Sequence, residues 1–306
     1  MFHKKYKYND LYYKDKNFTI CIGPAKPGIQ ELTFHENTKQ IANFAFRGEK
    51  SLEKITLPDN LEEIEMQAFE GCSNLKHVDL SATKIKTMPC RVFSESEIET
   101  IKLPKFLRTL DTRCFSYCHN LKKIDLPDTL RDIKIGAFAK SGLEEIKLPE
   151  DLKTIGPFAF ANTPLEKAEL NNAYGHSIFA GCENLKKVVY TKNCETFSFK
   201  MFKFSKVREV ILPDTIKEID FDDDMRKIDI DSIKDYKEYK KELSIEIEKI
   251  VYTKLDKDAE DKLRKFCGKG LTLERNKAIC KLDDLIEEAS SFKEINKLYK
   301  DLNLNR

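Results

Sequence analysis

Apolar positions recur along this chain in a short repeating unit. Each unit has an L-x-x-I-x-L run, a second apolar pair and then a small residue followed by Phe. The clearest units begin at Leu52, Leu75, Ile98, Leu121 and Leu143, so their starts are 23, 23, 23 and 22 residues apart. Each run is too short for a helix and favours a strand. The Pro that follows most runs ends the strand, because Pro has no N–H for a ladder.

The repeat continues on both sides of these units. Weaker copies begin at Leu165, Leu185 and Val207, and an earlier one begins near Ile29. A unit of this length cannot bury its apolar edge alone, whereas stacked copies bury it as ladders of like residues. The sequence therefore predicts a solenoid of about nine coils from residue 29 to 220. The stretch IEKIVYTK, from Ile247, suggests one further coil after an insertion.

One aromatic residue stands at the same place in almost every coil. We expect these rings to form the largest ladder of the core, because each buried Phe contributes about 1.5–3 kcal/mol before the entropy of ordering is subtracted. The predicted ladder consists of Phe46, Phe69, Phe93, Phe115, Phe138, Phe160, Phe179 and Phe202.

The full motif, L-x-x-I-x-L-P-x-x-L-x-x-I-x-x-x-A-F-x-x-C, resembles the BspA-type (Treponema pallidum-type) leucine-rich repeat over residues 29 to 220. The resemblance implies a leucine-rich-repeat right-handed β-solenoid or horseshoe of short parallel strands. It also implies a role in binding, since the family is used for many different partners. Its members are often bacterial or protist surface adhesins.

The flanking segments do not follow the repeat. Residues 1–28 predict an N-terminal β cap, with a hairpin turning at Asn9 and Asp10 and another strand from Phe18. Residues 29–254 form the predicted solenoid, including the charged insertion. Residues 255–306 predict a C-terminal α-helical cap, with helices near Asp256–Cys267 and Lys281–Lys300. An alternative for the last helix is a separate partner-binding element.

Charge and composition restrict the class of partner and the compartment. The 306 residues include 54 Lys and Arg against 52 Asp and Glu, and this balance of +2 argues against a nucleic-acid binder. No run of 18 apolar residues predicts a transmembrane segment. The N-terminal residues lack the apolar region of a secretory signal, so we expect a cytoplasmic protein. Location at the cell surface, or export by a non-standard route, is the alternative.

Chemical motifs are incomplete throughout the sequence. Of the nine Cys, Cys72, Cys118 and Cys182 occupy one repeat slot, three residues after the ladder Phe, so we expect buried reduced thiols. The Cys, His and acidic residues do not complete a zinc or calcium motif. No nucleophile elbow or phosphate loop occurs. We therefore predict no metal, no cofactor and no enzymatic activity; an enzyme with an unrecognised site in the C-terminal region is the alternative.

The remaining candidate site is the strand face of the solenoid. Each L-x-x-I-x-L run places two residues outward, one on either side of the central Ile or Val. One interpretation is a solvated polar face; the other is a surface that binds a protein of unknown identity, since solenoids present long binding faces. Mixed charges suit a folded protein better than a polyanion. The candidate partner-binding residues are Lys54, Thr56, His77, Asp79, Thr100, Lys102, Lys123, Asp125, Glu145, Lys147, Lys167 and Glu169. The oligomeric state stays open.

Overall fold

The structure is a computed structural model. It describes residues 5–172, 174–191, 194–202, 205–213, 215–216, 218–220, 249–252, 261 and 272–275. No helix in these ranges is long and apolar enough to cross a bilayer.

The regular secondary structure of the described chain consists almost entirely of short strands, joined by turns. In chain order they are β1 (Tyr6–Tyr8), β2 (Leu11–Tyr13), β3 (Ile20–Pro24), β4 (Glu31–Thr33), β5 (Gln40–Ile41), β6 (Lys54–Thr56), β7 (Glu63–Ile64), β8 (His77–Asp79), β9 (Thr87–Met88), β10 (Thr100–Lys102), β11 (Thr109–Leu110), β12 (Asp132–Ile133), β13 (Glu145–Ile146), β14 (Thr154–Ile155), β15 (Lys167–Leu170), β16 (Lys187–Tyr190), β17 (Thr196–Ser198), β18 (Glu209–Ile211), β19 (Glu218–Asp220), β20 (Lys249–Tyr252) and β21 (Thr272–Arg275). One 3₁₀ helix covers Phe199–Phe202.

The L-x-x-I-x-L runs form a first ladder of parallel strands. β4 pairs with β6 and β8 with β10, and a six-stranded sheet has the order β13, β15, β16, β18, β20, β21. The register aligns equivalent residues of successive repeats, as in Ile101 opposite Val78 and Ala168 opposite Ile146. The strands β15, β16 and β18 confirm the weaker copies. The pairing of β20 with β18 confirms the further coil predicted from Ile247.

The second apolar pair of each repeat forms a second ladder. β9, β11, β12 and β14 pair in parallel, and β17 pairs with β19 in the same way. Near the N-terminus, β5 pairs with β7 on one side and with β3 on the other. Each coil therefore closes around a core that both ladders bury.

The predicted Phe ladder is confirmed as one continuous stack. Ring centroids lie 5.3 Å apart from Phe46 to Phe69 and 6.4 Å apart from Phe179 to Phe202, with the other intervals between these values. The rings of Phe138 and Phe160 are inclined by only 4°. All eight rings are at most 1% exposed, so the stack is the centre of the core.

The turn that holds each Phe is bonded to the next coil through its backbone. The Phe69 N–H donates to the Val92 carbonyl at 3.0 Å, and the Phe93 N–H donates to the Cys114 carbonyl at 3.0 Å. Two residues before each of the first seven rings of the stack, from Phe46 to Phe179, the backbone has a positive φ, which costs most side chains about 1–2 kcal/mol. Gly136 (φ 60°) meets this requirement without that strain, whereas Arg113 has a φ of 55°. The bonds between coils hold the turn in this conformation.

The slot three residues after each Phe from Phe69 to Phe202 is buried and holds a hydroxyl or thiol. Small side chains fill it, as the repeat predicted: Cys72, Ser96, Cys118, Ser141, Thr163, Cys182 and Ser205. The hydroxyls of Ser96 and Thr163 donate to the Phe carbonyl of their own coil at 2.6 and 2.8 Å. The thiol of Cys118 instead donates to the Phe93 carbonyl of the preceding coil at 3.0 Å. These bonds satisfy backbone groups inside the core.

The N-terminal segment forms the predicted hairpin and strand. β1 and β2 pair antiparallel around a turn at Asn9, which has a φ of 49°. β3 pairs antiparallel with β2 and parallel with β5, so it joins the hairpin to the second ladder. The buried Tyr13 hydroxyl accepts the His35 N–H at 3.1 Å and lies 3.2 Å from the Thr38 hydroxyl. The hairpin is thus anchored to the first coil.

The C-terminal region differs from the predicted helical cap where it is described. β21 lies within residues 255–306 and continues the parallel ladder, with Leu273 opposite Ile250. The alternation of apolar and polar residues in LTLER is compatible with this strand. The two helices predicted at Asp256–Cys267 and Lys281–Lys300 lie outside the described residues, apart from the single helical position Asp261.

Candidate partner-binding surface

The first ladder presents two rows of outward side chains. In β10 the central Ile101 is buried, whereas Thr100 and Lys102 on either side of it are exposed. The parallel register places Thr100 beside His77 and Lys102 beside Asp79. The same alignment places Glu145 beside Lys167 further along the stack. The candidate residues predicted from the sequence therefore lie in two rows on one face.

Charges along these rows pair between coils. The Lys102 ammonium lies 2.8 Å from an Asp79 carboxylate oxygen, and the hydrogen bond lowers the pKa of Asp79 to about 2. The Lys123 ammonium lies 2.8 Å from the Glu145 carboxylate, and this hydrogen bond raises the pKa of Lys123. All four side chains are more than half exposed. Such pairs order the surface but contribute little to stability.

The first ladder is interrupted between β6 and β8, which do not pair, and again in the middle of the face. Within residues 98–148, all of which are described, the run that begins at Leu121 forms no strand, although its sequence matches the repeat. The Glu144 N–H still donates to the Lys122 carbonyl at 3.1 Å. In a regular coil two successive N–H groups share such a carbonyl, as those of Glu99 and Thr100 do with Lys76. The strand pairing is therefore looser at this coil.

An open depression of about 370 Å³ lies beside this interruption. The side chains that line it are Lys123, Ile124, Asp125, Glu145, Ile146, Lys147, Lys167 and Glu169. Ile124 and Ile146 are 5% and 8% exposed, so the wall is charged and the base is apolar. Within the described part of the chain, Asp125 and Lys147 are exposed and form no ion pair. Both are available to a partner.

The structure brings half of the predicted set together and separates the rest. Lys123, Asp125, Glu145, Lys147, Lys167 and Glu169 line the depression. Lys54, Thr56, His77, Asp79, Thr100 and Lys102 lie on the N-terminal side of the interruption. There, the His77 ring nitrogen Nδ1 and the Thr100 hydroxyl are hydrogen-bonded at 2.8 Å. Sequence analysis assigned Ile124 and Ile146 only to the core, because their repeat position carries no sign of the depression.

Towards the C-terminus the outward row changes from charged to apolar. Glu169 stands beside Val189, and Val189 beside Ile211, on adjacent strands. Both apolar side chains are half-buried. A partner that covers the depression and extends in this direction therefore meets an apolar strip next to a charged one.

Reactive groups in the described residues are held in structural positions. Burial raises the pKa of the Cys72 and Cys118 thiols to about 12, so neither forms a thiolate near neutral pH. The Ser177 hydroxyl lies 3.3 Å from the ring nitrogen Nδ1 of the adjacent His176, but Ser177 is itself buried. The arrangement of the strand face is suited to contact with a surface of mixed charge.

Comparisons with known proteins agree with this architecture. A family profile described as the BspA type leucine rich repeat region matches residues 25–139 and 108–222, with six copies of the repeat. No curated protein matches the chain.

Solved structures of bacterial proteins also match the chain. A leucine-rich repeat protein from Bacteroides ovatus ATCC 8483 is 21% identical with a TM-score of 0.47, and the match covers 88% of this chain and 78% of that one. The pneumococcal vaccine antigen PcpA is 20% identical with a TM-score of 0.49, over 81% of this chain and 68% of that one. The profile match extends over more than half of the chain. The chain therefore belongs to the family of proteins with BspA-type leucine-rich repeats.

Proposed function

We propose that this chain is a non-catalytic recognition module that binds a protein through the strand face, with the depression at Lys123–Glu169 as the centre of contact. The observation that supports the proposal is the interruption of the first ladder at Leu121. A recess with an apolar base lies beside it, in the middle of a face that otherwise carries paired surface charges. Recessed apolar positions ringed by polar groups are where interface contacts contribute most energy.

The charges around the recess favour a protein partner. Lys147 and Asp125, of opposite sign, stand in neighbouring coils beside ion pairs that already neutralise Lys123 and Lys167. A surface of alternating sign attracts a partner of complementary alternating sign and repels a polymer that carries one sign only.

Charge reversal at the recess tests the proposal. The double variant with Lys123→Glu and Lys147→Glu should change the free energy of unfolding by no more than about 0.5 kcal/mol per site, since both residues are exposed. The variant and the native chain are used as baits in lysate from the source cell, and captured proteins are identified by mass spectrometry. A partner of the recess is retained by the native chain and lost with the variant, and its purified form then binds the variant more weakly.

A matched control uses two other lysines. Lys76 and Lys122 pair with Glu99 and Glu144 at 2.9 and 3.0 Å and directly precede the outward residues His77 and Lys123, so they lie in a different row. Lys76→Glu with Lys122→Glu makes the same change of net charge. Partner loss in this control, with retention by the recess variant, would place the interface elsewhere on the chain.

Cytoplasmic location is part of the proposal. Its support is the set of buried free thiols, among them Cys72, Cys118 and Cys182, since reducing compartments keep thiols unpaired. Fractionation of the source cell tests it. Recovery of the chain at the cell surface or in the medium would favour the alternative of an adhesin or effector exported by a non-standard route. A broad activity screen tests the alternative of an enzyme.

A further inference from the structure

A second row of charged side chains lies on the second ladder. Its members are the residues directly before the second-ladder strands of successive coils: Lys39, Glu62, Lys86, Arg108, Arg131 and Lys153. Backbone hydrogen bonds link the last four. The Arg108 N–H donates to the Lys86 carbonyl at 2.8 Å, the Arg131 N–H to the Arg108 carbonyl at 2.9 Å, and the Lys153 N–H to the Arg131 carbonyl at 2.8 Å. Lys86, Arg108, Arg131 and Lys153 are called the cation row below.

The cation row departs from the charge pattern of the other rows. On the first ladder, many cations pair with carboxylates, as Lys102 does with Asp79 and Lys76 with Glu99. Lys167 and Lys187 stand side by side there, but each pairs with its own carboxylate, Glu169 and Glu209. The second-ladder row begins in the same way, with Lys39 lying 3.4 Å from Glu62. From Lys86 onward it carries four cations on four successive coils. Strand spacing of about 4.8 Å makes this row about 14 Å long.

Neighbouring carboxylates do not neutralise most of the row. Arg131 is held by the Asp151 carboxylate at 3.1 Å and by two backbone carbonyls. The nearby Asp132 carboxylate accepts from the Thr154 hydroxyl at 2.6 Å and lies 3.6 Å from Lys134. The remaining members, Lys86, Arg108 and Lys153, are exposed and form no ion pair with any described residue.

This arrangement works against the stability of the free chain. Like charges on adjacent strands repel each other, and the cost falls only when counter-charges approach. In the other rows a carboxylate of a neighbouring coil compensates a cation, as Glu99 does for Lys76. The uncompensated cations of this row are therefore suited to negative charge brought by a partner.

An exposed aromatic ring adjoins one end of the cation row. Phe106 is 63% exposed, which is unusual for a Phe in this chain. It lines an open groove of about 740 Å³ together with Lys84, Lys86, Thr87 and Pro89, the buried Ile64, and the carboxylates Glu62 and Glu63. The two carboxylates are held by the preceding coil, Glu62 by Lys39 at 3.4 Å and Glu63 by the Gln40 amide at 3.2 Å. Two cations, two partnered carboxylates and an apolar wall thus share one groove.

We propose that the cation row and Phe106 bind an extended acidic segment of a partner protein. Carboxylates on one edge of that segment pair with Lys86, Arg108 and Lys153, and an apolar side chain packs against Phe106. A length of about 14 Å corresponds to about four residues of extended chain, so two or three alternate side chains face the row. The apolar wall favours a peptide, because a sulfated polysaccharide offers nothing to pack against it. The chain also lacks the large basic excess of nucleic-acid binders. This surface is distinct from the strand face and does not depend on the function proposed for that face.

The test uses the full chain and a labelled synthetic peptide. The peptide has twelve residues that alternate Glu with Leu and include one Phe, and a second peptide replaces every Glu by Gln. Fluorescence anisotropy should show binding of the Glu peptide that weakens with added salt and at least tenfold weaker binding of the Gln peptide. Binding of the Glu peptide should weaken at least tenfold in the triple variant that combines Lys86→Gln, Arg108→Gln and Lys153→Gln. It should weaken severalfold in Phe106→Ala.

A matched triple variant and a binding measurement with heparin are the controls for this test. A second triple variant combines Lys76→Gln, Lys122→Gln and Lys186→Gln, which lie in the row directly before the outward residues of the first ladder. It removes the same formal charge and should leave binding of the Glu peptide within about twofold of the native chain. The row variant should also unfold at a higher temperature than the native chain without peptide, since repulsion is removed. Equal loss of binding in both triple variants, equal affinity for the two peptides, or binding of heparin without binding of the Glu peptide would each overturn the proposal.

Discussion

The ring of Phe138 lies almost parallel to that of Phe160, with centroids 5.5 Å apart and planes inclined by 4°. The same relationship links Phe138 to Phe115 at 5.6 Å, so removal of one ring leaves a hole between two others. Phe138→Ala should lower the free energy of unfolding by about 3–5 kcal/mol through lost burial and the cavity that remains. Urea denaturation measures the loss. Phe106→Ala is the control, since its exposed ring should change stability by less than about 0.5 kcal/mol.

Ser141 lies in the buried polar slot, and its replacement should have the opposite effect on stability to that of Phe138. Its hydroxyl has no hydrogen-bond partner among the described residues, whereas the Ser96 hydroxyl donates to the Phe93 carbonyl at 2.6 Å. A buried unpaired polar group costs about 1–3 kcal/mol. Ser141→Ala should therefore raise the free energy of unfolding by about 1 kcal/mol, and Ser96→Ala should lower it by about as much. Equal losses in the two variants would show that the Ser141 hydroxyl is bonded.

The Asp79–Lys102 pair predicts a specific dependence on pH. Because Lys102 lowers the pKa of Asp79 from 3.8 to about 2, the stabilisation is fully present above 3.8 and is lost as pH falls from that value through about 2. Both side chains are more than half exposed, so it amounts to less than about 1 kcal/mol. Denaturation of the native chain and of Asp79→Asn should differ at pH 5 and converge near pH 2. Asp125→Asn, which removes an unpaired carboxylate, should show no such convergence.

Thiol reactivity should follow burial. Burial raises the pKa of Cys72 and Cys118 to about 12. Cys90 is only half-buried, although burial is also the main cause that raises its pKa. An aromatic disulfide reagent at pH 8 should therefore modify Cys90 in the folded protein and reach Cys72 and Cys118 only on unfolding. Peptide mapping assigns each site, and Cys90→Ser should remove the early product. Labelling of Cys118 as fast as Cys90 would contradict the buried slot.

The sequence was sufficient to predict the repeating parts of the fold. The starts of the coils, the Phe stack and the alignment of Lys102 with Asp79 follow from position within the repeat, because a stacked repeat turns sequence position into a row. The interruption at Leu121 could not be predicted in this way. LKKIDL has the same pattern as LEKITL, and the difference lies in backbone hydrogen bonds between coils. The recess, with Ile124 and Ile146 at its base, lies beside that interruption.

Two further features lay outside the pattern for physical reasons. Arg108 and Arg131 occupy the same position of adjacent repeats, so their alignment follows from the sequence. The absence of ion pairs at Lys86, Arg108 and Lys153 among the described residues depends on side-chain positions that the repeat does not specify. β21 was missed because a single strand of four residues gives a weak signal between two stretches with helical spacing.

Lysine footprinting tests most directly the claim that the strand-face recess is the binding centre. The free chain and its complex with the partner retained in the charge-reversal experiment are methylated under native conditions, and modification is measured at each Lys by mass spectrometry. Lys123, Lys147 and Lys167, which line the recess, should be protected in the complex. Lys76 and Lys186, which directly precede the outward residues His77 and Lys187, should be modified as in the free chain. Unchanged modification of Lys123 and Lys147 in a saturated complex would contradict the account.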